Sequence, residues 1–176
     1  MTVLLILFQR MVGVWLLLGV LGFFPPSASA EDEADAEIKA TYLHNFTKFV
    51  EWPALVNDTI HICVVGSEPI VNKLGEIASR DLKGHALQIW SGLDDPQICQ
   101  ILFISRAEKN LSGLMDQVRG KDVLTVSDAE NFARQGGGIG FYSDGAQIKL
   151  EINSTVTQNA HLKINAMLME IARITR

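Results

Sequence analysis

Beyond the first thirty residues, apolar positions alternate between two periods. Ile38, Tyr42, Phe46 and Phe49 recur at helical spacing, and Leu43 and Val50 widen the stripe. Trp52-Pro53 closes this helix, because the residue before a proline resists the α region. The acidic residues 31–36 ahead of it read as a short frayed terminus. Thr59–Val65 is an almost unbroken β-branched run, the pattern of a strand buried on both faces. A helix is predicted over 69–80, with Ile70, Val71, Leu74 and Ile77 on one side, then a short strand over 86–90. A second buried strand follows over 99–104, and a helix over 107–118 that Gly120 ends. A strand over 122–126 leads to Ser127-Asp128, which caps a short helix reaching Gln135.

The end of the chain changes style. A short apolar run, residues 139–142, and the strictly alternating Gln147–Asn153 flank Asp144-Gly145, a strong hairpin signal. In the second of these strands Ile148, Leu150 and Ile152 point inward, and Gln147, Lys149, Glu151 and Asn153 point outward. From Ser154 the apolar residues Val156, Ala160, Ile164, Met167, Leu168 and Ile171 predict one long closing helix. Strands alternating with helices make this an α/β protein with an open, mostly parallel sheet, ending in an antiparallel hairpin and a long C-terminal helix.

Composition adds a compartment. Residues 1–30 carry a single charge, Arg10, followed by an apolar stretch over 12–24, then Pro25-Pro26 and Ala28-Ser29-Ala30. That is the layout of a secretory signal cut before Glu31. The apolar stretch is shorter than the ~20 residues that span a bilayer. The apolar residues 3–8 keep a membrane anchor as the alternative. The remaining single domain, residues 31–176, holds 14 Lys and Arg against 20 Asp and Glu, a net charge of −6. An acidic body without a basic tract argues against nucleic acid or anionic lipid as a partner. An exported chain with two cysteines, Cys63 and Cys99, often pairs them; the alternative is two buried free thiols.

Catalytic chemistry finds no foothold. The glycine run 136–140 follows a helix and opens a hairpin, whereas a phosphate loop follows a strand and opens a helix. Its glycines read instead as a tight turn and close backbone packing. His44, His61, His85 and His161 make no metal-ligand spacing. Cys63 sits in mid-strand, a poor place for a nucleophile. No catalytic residue, metal site or cofactor is expected. The outward residues Lys149, Glu151 and Asn153 are candidate partner contacts, with an ordinary solvated strand face as the plainer reading.

Several segments resemble the YfiR-like periplasmic proteins: residues 39–53 (KATYLHNFTKFVEWP), 62–66 (ICVVG), 99–105 (CQILFIS), 123–128 (VLTVSD), 137–141 (GGIGF) and 150–153 (LEIN), in that order. The resemblance implies a sheet with helices on both faces and a regulator in place of an enzyme. It implies a periplasmic protein that binds and represses the periplasmic domain of an inner-membrane diguanylate cyclase, lowering cyclic di-GMP and biofilm formation, and acts as a homodimer. The family's first cysteine pair matches Cys63 and Cys99. Its second pair, near the glycine-rich hairpin, has no counterpart here, since residues 132–141 hold no cysteine. A second reading is a small-ligand binding module serving a transporter or sensor kinase. That reading predicts a polar cleft at the carboxyl ends of the strands; the regulator predicts an exposed apolar patch. If right-handed crossovers place the first four strands in the order 2-1-3-4, Cys63 and Cys99 lie on neighbouring strands within reach of a bridge, provided the register agrees.

Overall fold

The structure, a computed structural model, describes residues 28–53, 55–80 and 84–176. The expected secretory signal lies almost wholly outside the described residues. The chain divides into two units, 1–31 and 32–176, and the second carries the sheet. Among the described residues no helix is long and apolar enough to cross a membrane.

Helix α1 runs over Ala28–Phe49, so the acidic stretch 31–36 is helical and not frayed. Asp32, Glu33 and Asp35 stand near its amino end, where the helix dipole favours negative charge. Its buried stripe is Ala36, Ala40, Leu43 and Phe46, rotated from the expected one, and Ile38 is exposed. Strand β1 (Val50–Glu51) follows directly. Then come β2 (Thr59–Val65), α2 (Glu68–Arg80) and β3 (Ala86–Ser91). The middle of the chain holds β4 (Ile101–Ile104), α3 (Leu111–Val118) and β5 (Leu124–Ser127).

One sheet of seven strands has the order β3-β2-β4-β5-β6-β7-β9, where β6 is Ile139–Asp144, β7 Gln147–Asn153 and β9 Arg173–Thr175. The first five of these are mutually parallel, and β6 and β7 form the antiparallel hairpin. The hairpin turns through Gly145, whose φ of +63° a glycine adopts without strain. Helices cover both faces. On one, Leu43 and Phe46 of α1 and Ile70 and Leu74 of α2 pack on Ile62, Ile101, Phe103 and Val126. On the other, Val118 of α3 joins Leu102, Ile104 and Val123.

Two expected helices are absent. After Ser127, which ends β5, residues 128–135 hold only a 3₁₀ turn at Ala133–Gln135. The capping pair is engaged elsewhere: the Ser127 hydroxyl donates to Ile104 O at 2.6 Å, and Asp128 is held by Lys39 and by the Arg106 amide. The long C-terminal helix is replaced by α4 (Ser154–Asn159), β8 (Lys163–Ile164), α5 (Ala166–Glu170) and β9. His161 takes a left-handed φ of 55° and breaks the helix. Asn153 and Asn165, short polar residues that favour caps over helix interiors, cap α4 and α5. Strand β8 then pairs with β1, and β9 adds to β7. Met167 and Ile171 of the expected buried stripe are therefore exposed, at 64% and 65%.

Cys63 and Cys99 form a disulfide with Cα atoms 5.9 Å apart. Cys63 lies opposite Leu102 in the ladder, on the face that α3 covers. Strict alternation from Leu102 would send Cys99 to the other face. Cys99 instead precedes β4 by two residues, in the turn that follows Asp95, and this brings its side chain to the same face as Cys63.

Candidate functional site

The carboxyl ends of β4 and β5 open into a cleft of about 630 Å³ whose walls are α1, the 3₁₀ turn, the hairpin and β9. Its chemistry rests on two buried carboxylates. Asp128, just past β5, accepts the Arg106 amide at 2.6 Å on Oδ1 and the Lys39 ammonium at 2.8 Å on Oδ2. Both side chains of the Lys39–Asp128 pair are about nine-tenths buried. Asp35, one helical turn before Lys39, lies 3.8 Å from the same ammonium.

Glu151, on β7, is the second carboxylate. Arg134 donates to Oε1 from Nε at 3.0 Å and approaches it through Nη2 at 2.9 Å, and Arg173 of β9 stands 3.7 Å away. The Arg173 guanidinium also lies 4.4 Å over the ring of Tyr142. A glycine permits this arrangement. Gly140 faces Glu151 across the hairpin, and a Cβ on it would stand 3.3 Å from the Ala133 amide, so the 3₁₀ turn rests on β6 and sets Arg134 over Glu151. Gly137 and Gly138 are needed for packing too: a Cβ on them would meet the Phe132 ring at 2.2 Å and Thr125 O at 2.9 Å. The glycine run is thus a close-packing device.

The cleft is lined by Lys39, Arg106, Arg134 and Arg173 against Asp35, Asp128, Glu130 and Glu151, four charges of each sign. Arg106 has no ion-pair partner among the described residues, while the other three cations are matched within the wall. Such a cleft can bind a polar or charged group by exchanging wall partners. Among the described residues no group of three His, Cys, Asp or Glu could hold a metal ion.

The three candidate contacts on β7 fare differently. Lys149 reaches solvent and pairs with Asp144 across the hairpin. This pairing holds the Asp144 carboxyl below its ordinary value and the Lys149 ammonium above its own, through the shared hydrogen bond first and charge attraction second. Glu151 and Asn153 are not outward: each is 5% exposed. Alternation failed there because both faces of β7 are covered. Asn153 donates to Ala133 O at 2.8 Å and accepts the Val156 amide at 3.0 Å, so it ties the turn to α4.

The profile of the YfiR/HmsC-like proteins matches residues 36–173, well over half of the chain and all of the seven-stranded sheet except the last two residues of β9. The chain belongs to the YfiR/HmsC-like family. No curated protein matches it. YfiR-like proteins are periplasmic and regulatory, not catalytic, and partner membrane signalling proteins. In this YfiR-like chain the disulfide braces the half of the sheet away from the cleft, tying β2 to the turn before β4. Sequence reading missed the cleft's main residues. Lys39, Asp128, Arg134 and Arg173 are scattered over the whole chain, and each alone looks like a surface or capping residue. A lysine inside the apolar face of α1 was the one available signal.

Proposed function

We propose that this chain is an exported regulator that binds the periplasmic domain of an inner-membrane signalling enzyme, a diguanylate cyclase, and represses it, lowering cyclic di-GMP and biofilm formation. Family membership over residues 36–173 is the observation that carries this reading. The C-terminal segment leaves Met167, Ile171 and Ile174 exposed, apolar surface of the kind this reading calls for. Lys149 at the hairpin is the contact we assign to the partner; Glu151, buried in the cleft wall, and Asn153, buried between the turn and α4, brace the strand that presents it. Residues 1–30 act as a cleaved signal, so the exported protein starts at Glu31.

The test is deletion of the gene followed by measurement of cyclic di-GMP, with co-purification from solubilised membranes. Loss of the protein should raise cyclic di-GMP, and a tagged copy should recover a cyclase; unchanged cyclic di-GMP together with recovery of some other membrane sensor would refute repression of a cyclase. Mass spectrometry of the periplasmic protein should find Glu31 at its start, and an intact Met1 in the membrane fraction would refute cleavage.

The polar cleft favours one second reading, a small-ligand module serving a transporter or sensor kinase. It lies where open α/β sheets take ligands, outside the carboxyl ends of the strands. A metabolite retained through purification, with no membrane protein recovered, would decide for that reading.

A further inference from the structure

Strand β5 ends at Ser127, but its neighbour β6 runs on to Asp144. Their ladder has two rungs, Val126 with Ile139 and Ser127 with Gly140, while β7 accompanies β6 throughout. Asp128 accounts for the early stop: its bonds to Lys39 and to the Arg106 amide draw the chain out of the sheet. The groups that would carry the ladder further are spent locally. The Ala129 amide donates to Ser127 Oγ at 3.0 Å, and Ala129 O accepts from the Phe132 amide at 3.2 Å.

The hairpin register fixes which groups this leaves open. Asn153 donates to Gly138 O at 2.8 Å, and the bonded pairs recur every second residue, so the even-numbered residues of β6 serve β7. The odd-numbered ones face the side of β5. The carbonyl of Phe141 and both the amide and the carbonyl of Ser143 therefore lie beyond the last rung, and among the described residues no strand pairs with them. They make a short open edge within the cleft, whose wall includes Phe141, Tyr142 and Ser143. Two charged side chains of the same cleft, Arg106 and Glu130, have no ion-pair partner among the described residues; Glu130 accepts only the Asn131 side-chain amide, at 3.4 Å.

We propose that the cleft takes a free peptide of a few residues, laid as an added strand beside residues 141–143 of β6, with its carboxylate on Arg106 and its ammonium toward Glu130. Three features favour this occupant. A peptide backbone offers the donor and acceptors that an open strand edge lacks, the basis of recognition by strand addition. The edge is only three groups long and sits in a recess of about 630 Å³, a volume that suits a small ligand better than another sheet. Charge decides between a free peptide and an internal stretch of a larger protein. A free peptide brings one carboxylate and one ammonium to a cleft with one unmatched cation and one unmatched anion, and an internal backbone brings neither. The ligand so named rests on the small-ligand reading of the cleft and narrows it; repression of a cyclase does not depend on it.

The test equilibrates the purified protein with an equimolar mixture of free tripeptides of Ala, Val, Ser, Glu and Lys. Native mass spectrometry reads which complexes form, and calorimetry gives the Kd of the tripeptide that binds best. One peptide should bind per chain, and the Ser143 amide should exchange more slowly once it is bound. Arg106→Gln should weaken binding by about tenfold or more, as loss of a hydrogen bond to a charged group does. The C-terminal carboxamide of the same peptide should lose as much, and Arg106→Gln should no longer distinguish acid from carboxamide. Acetylating the ammonium should weaken binding too, and Glu130→Gln should cancel that difference. Ser143→Pro removes the open donor without touching a bond to β7, and should weaken binding with an unchanged circular dichroism spectrum; should it fail to fold, exchange at Ser143 in the unaltered protein decides. Binding that ignores Arg106→Gln, or that leaves the Ser143 amide unprotected, would overturn the proposal. So would failure of every tripeptide. A metabolite of another class retained through purification would then leave the small-ligand reading standing, and a protein with nothing retained would overturn both.

Discussion

Asp128 carries two partners of the cleft on one side chain. It satisfies the Lys39 ammonium and the Arg106 amide at once, inside a wall that leaves both charged groups about one-tenth exposed. Breaking a buried pair from one side strands a charge, at a cost of about 3–5 kcal/mol. Asp128→Ala should therefore lower unfolding free energy by about that much in urea titration. Replacing both partners with apolar residues, Lys39→Met with Asp128→Leu, should recover most of the loss; a double variant no better than the single would show that the pair is not the source of the cost. The Asp144–Lys149 pair behaves differently because it is exposed. Asp144 is depressed, so its contribution to the hairpin is present above the ordinary carboxylate value and fades as pH falls through the lowered one. Lys149 is raised, so its contribution persists below the ordinary lysine value and fades as pH rises through the higher one. In an NMR titration Asp144 should show a midpoint below that of a free aspartate, and Lys149→Ala should raise it toward the ordinary value.

At the level of elements, the two buried parallel strands and the hairpin were legible because their signals are local: β-branched runs and Asp144-Gly145 between alternating segments. Right-handed crossovers allowed the order 2-1-3-4 for the first four predicted strands, and the sheet has it. The C-terminal segment was not legible, because its apolar spacing fits a helix while its actual partners are distant. Pairing with β1 and β7 wins over helical periodicity once His161 breaks the chain and Asn165 caps a new start. The cleft was illegible for the same reason: ion pairs such as Lys39–Asp128 span 89 residues and leave no spacing rule behind. The disulfide stood between these cases, since the strand order put Cys63 and Cys99 close but only the turn before β4 put them on one face. Both are almost fully buried, 1% and 2% exposed, and they close a loop of 36 residues. Such a loop is worth about 4 kcal/mol in the chain-entropy model. Thiol titration of native protein should find no free thiol, reduction should need partial unfolding, and Cys63→Ala with Cys99→Ala should lower stability by up to about 4 kcal/mol.

Across the whole molecule, stability is unevenly distributed. Strands β4 and β5 are buried along their full length and flanked on both sides. The last fourteen residues are attached through a two-residue strand, a five-residue helix and a three-residue edge strand, with Met167, Ile171 and Ile174 facing solvent. Local opening draws on regions with few buried contacts. Native-state hydrogen exchange should therefore show amides of residues 163–176 exchanging well before those of β4 and β5. Equal protection in the two regions would mean that the segment is fixed by contacts beyond these. Because Arg173 belongs to it, opening the segment would also remove one wall of the cleft and one partner of Glu151.

The packing of α1 bears on how the chain comes to be folded. α1 precedes in the chain everything it packs on, so a chain synthesised from its amino end delivers α1 ahead of its partners. Its Leu43 and Phe46, both without exposed surface once folded, join a cluster that includes Val126, Ile139, Leu150 and Ile152. Lys39 waits for Asp128. Most of the chain must therefore emerge before this helix can dock, and until then its apolar face is open to chaperones, proteases and other chains. The first element delivered is among the last to be secured.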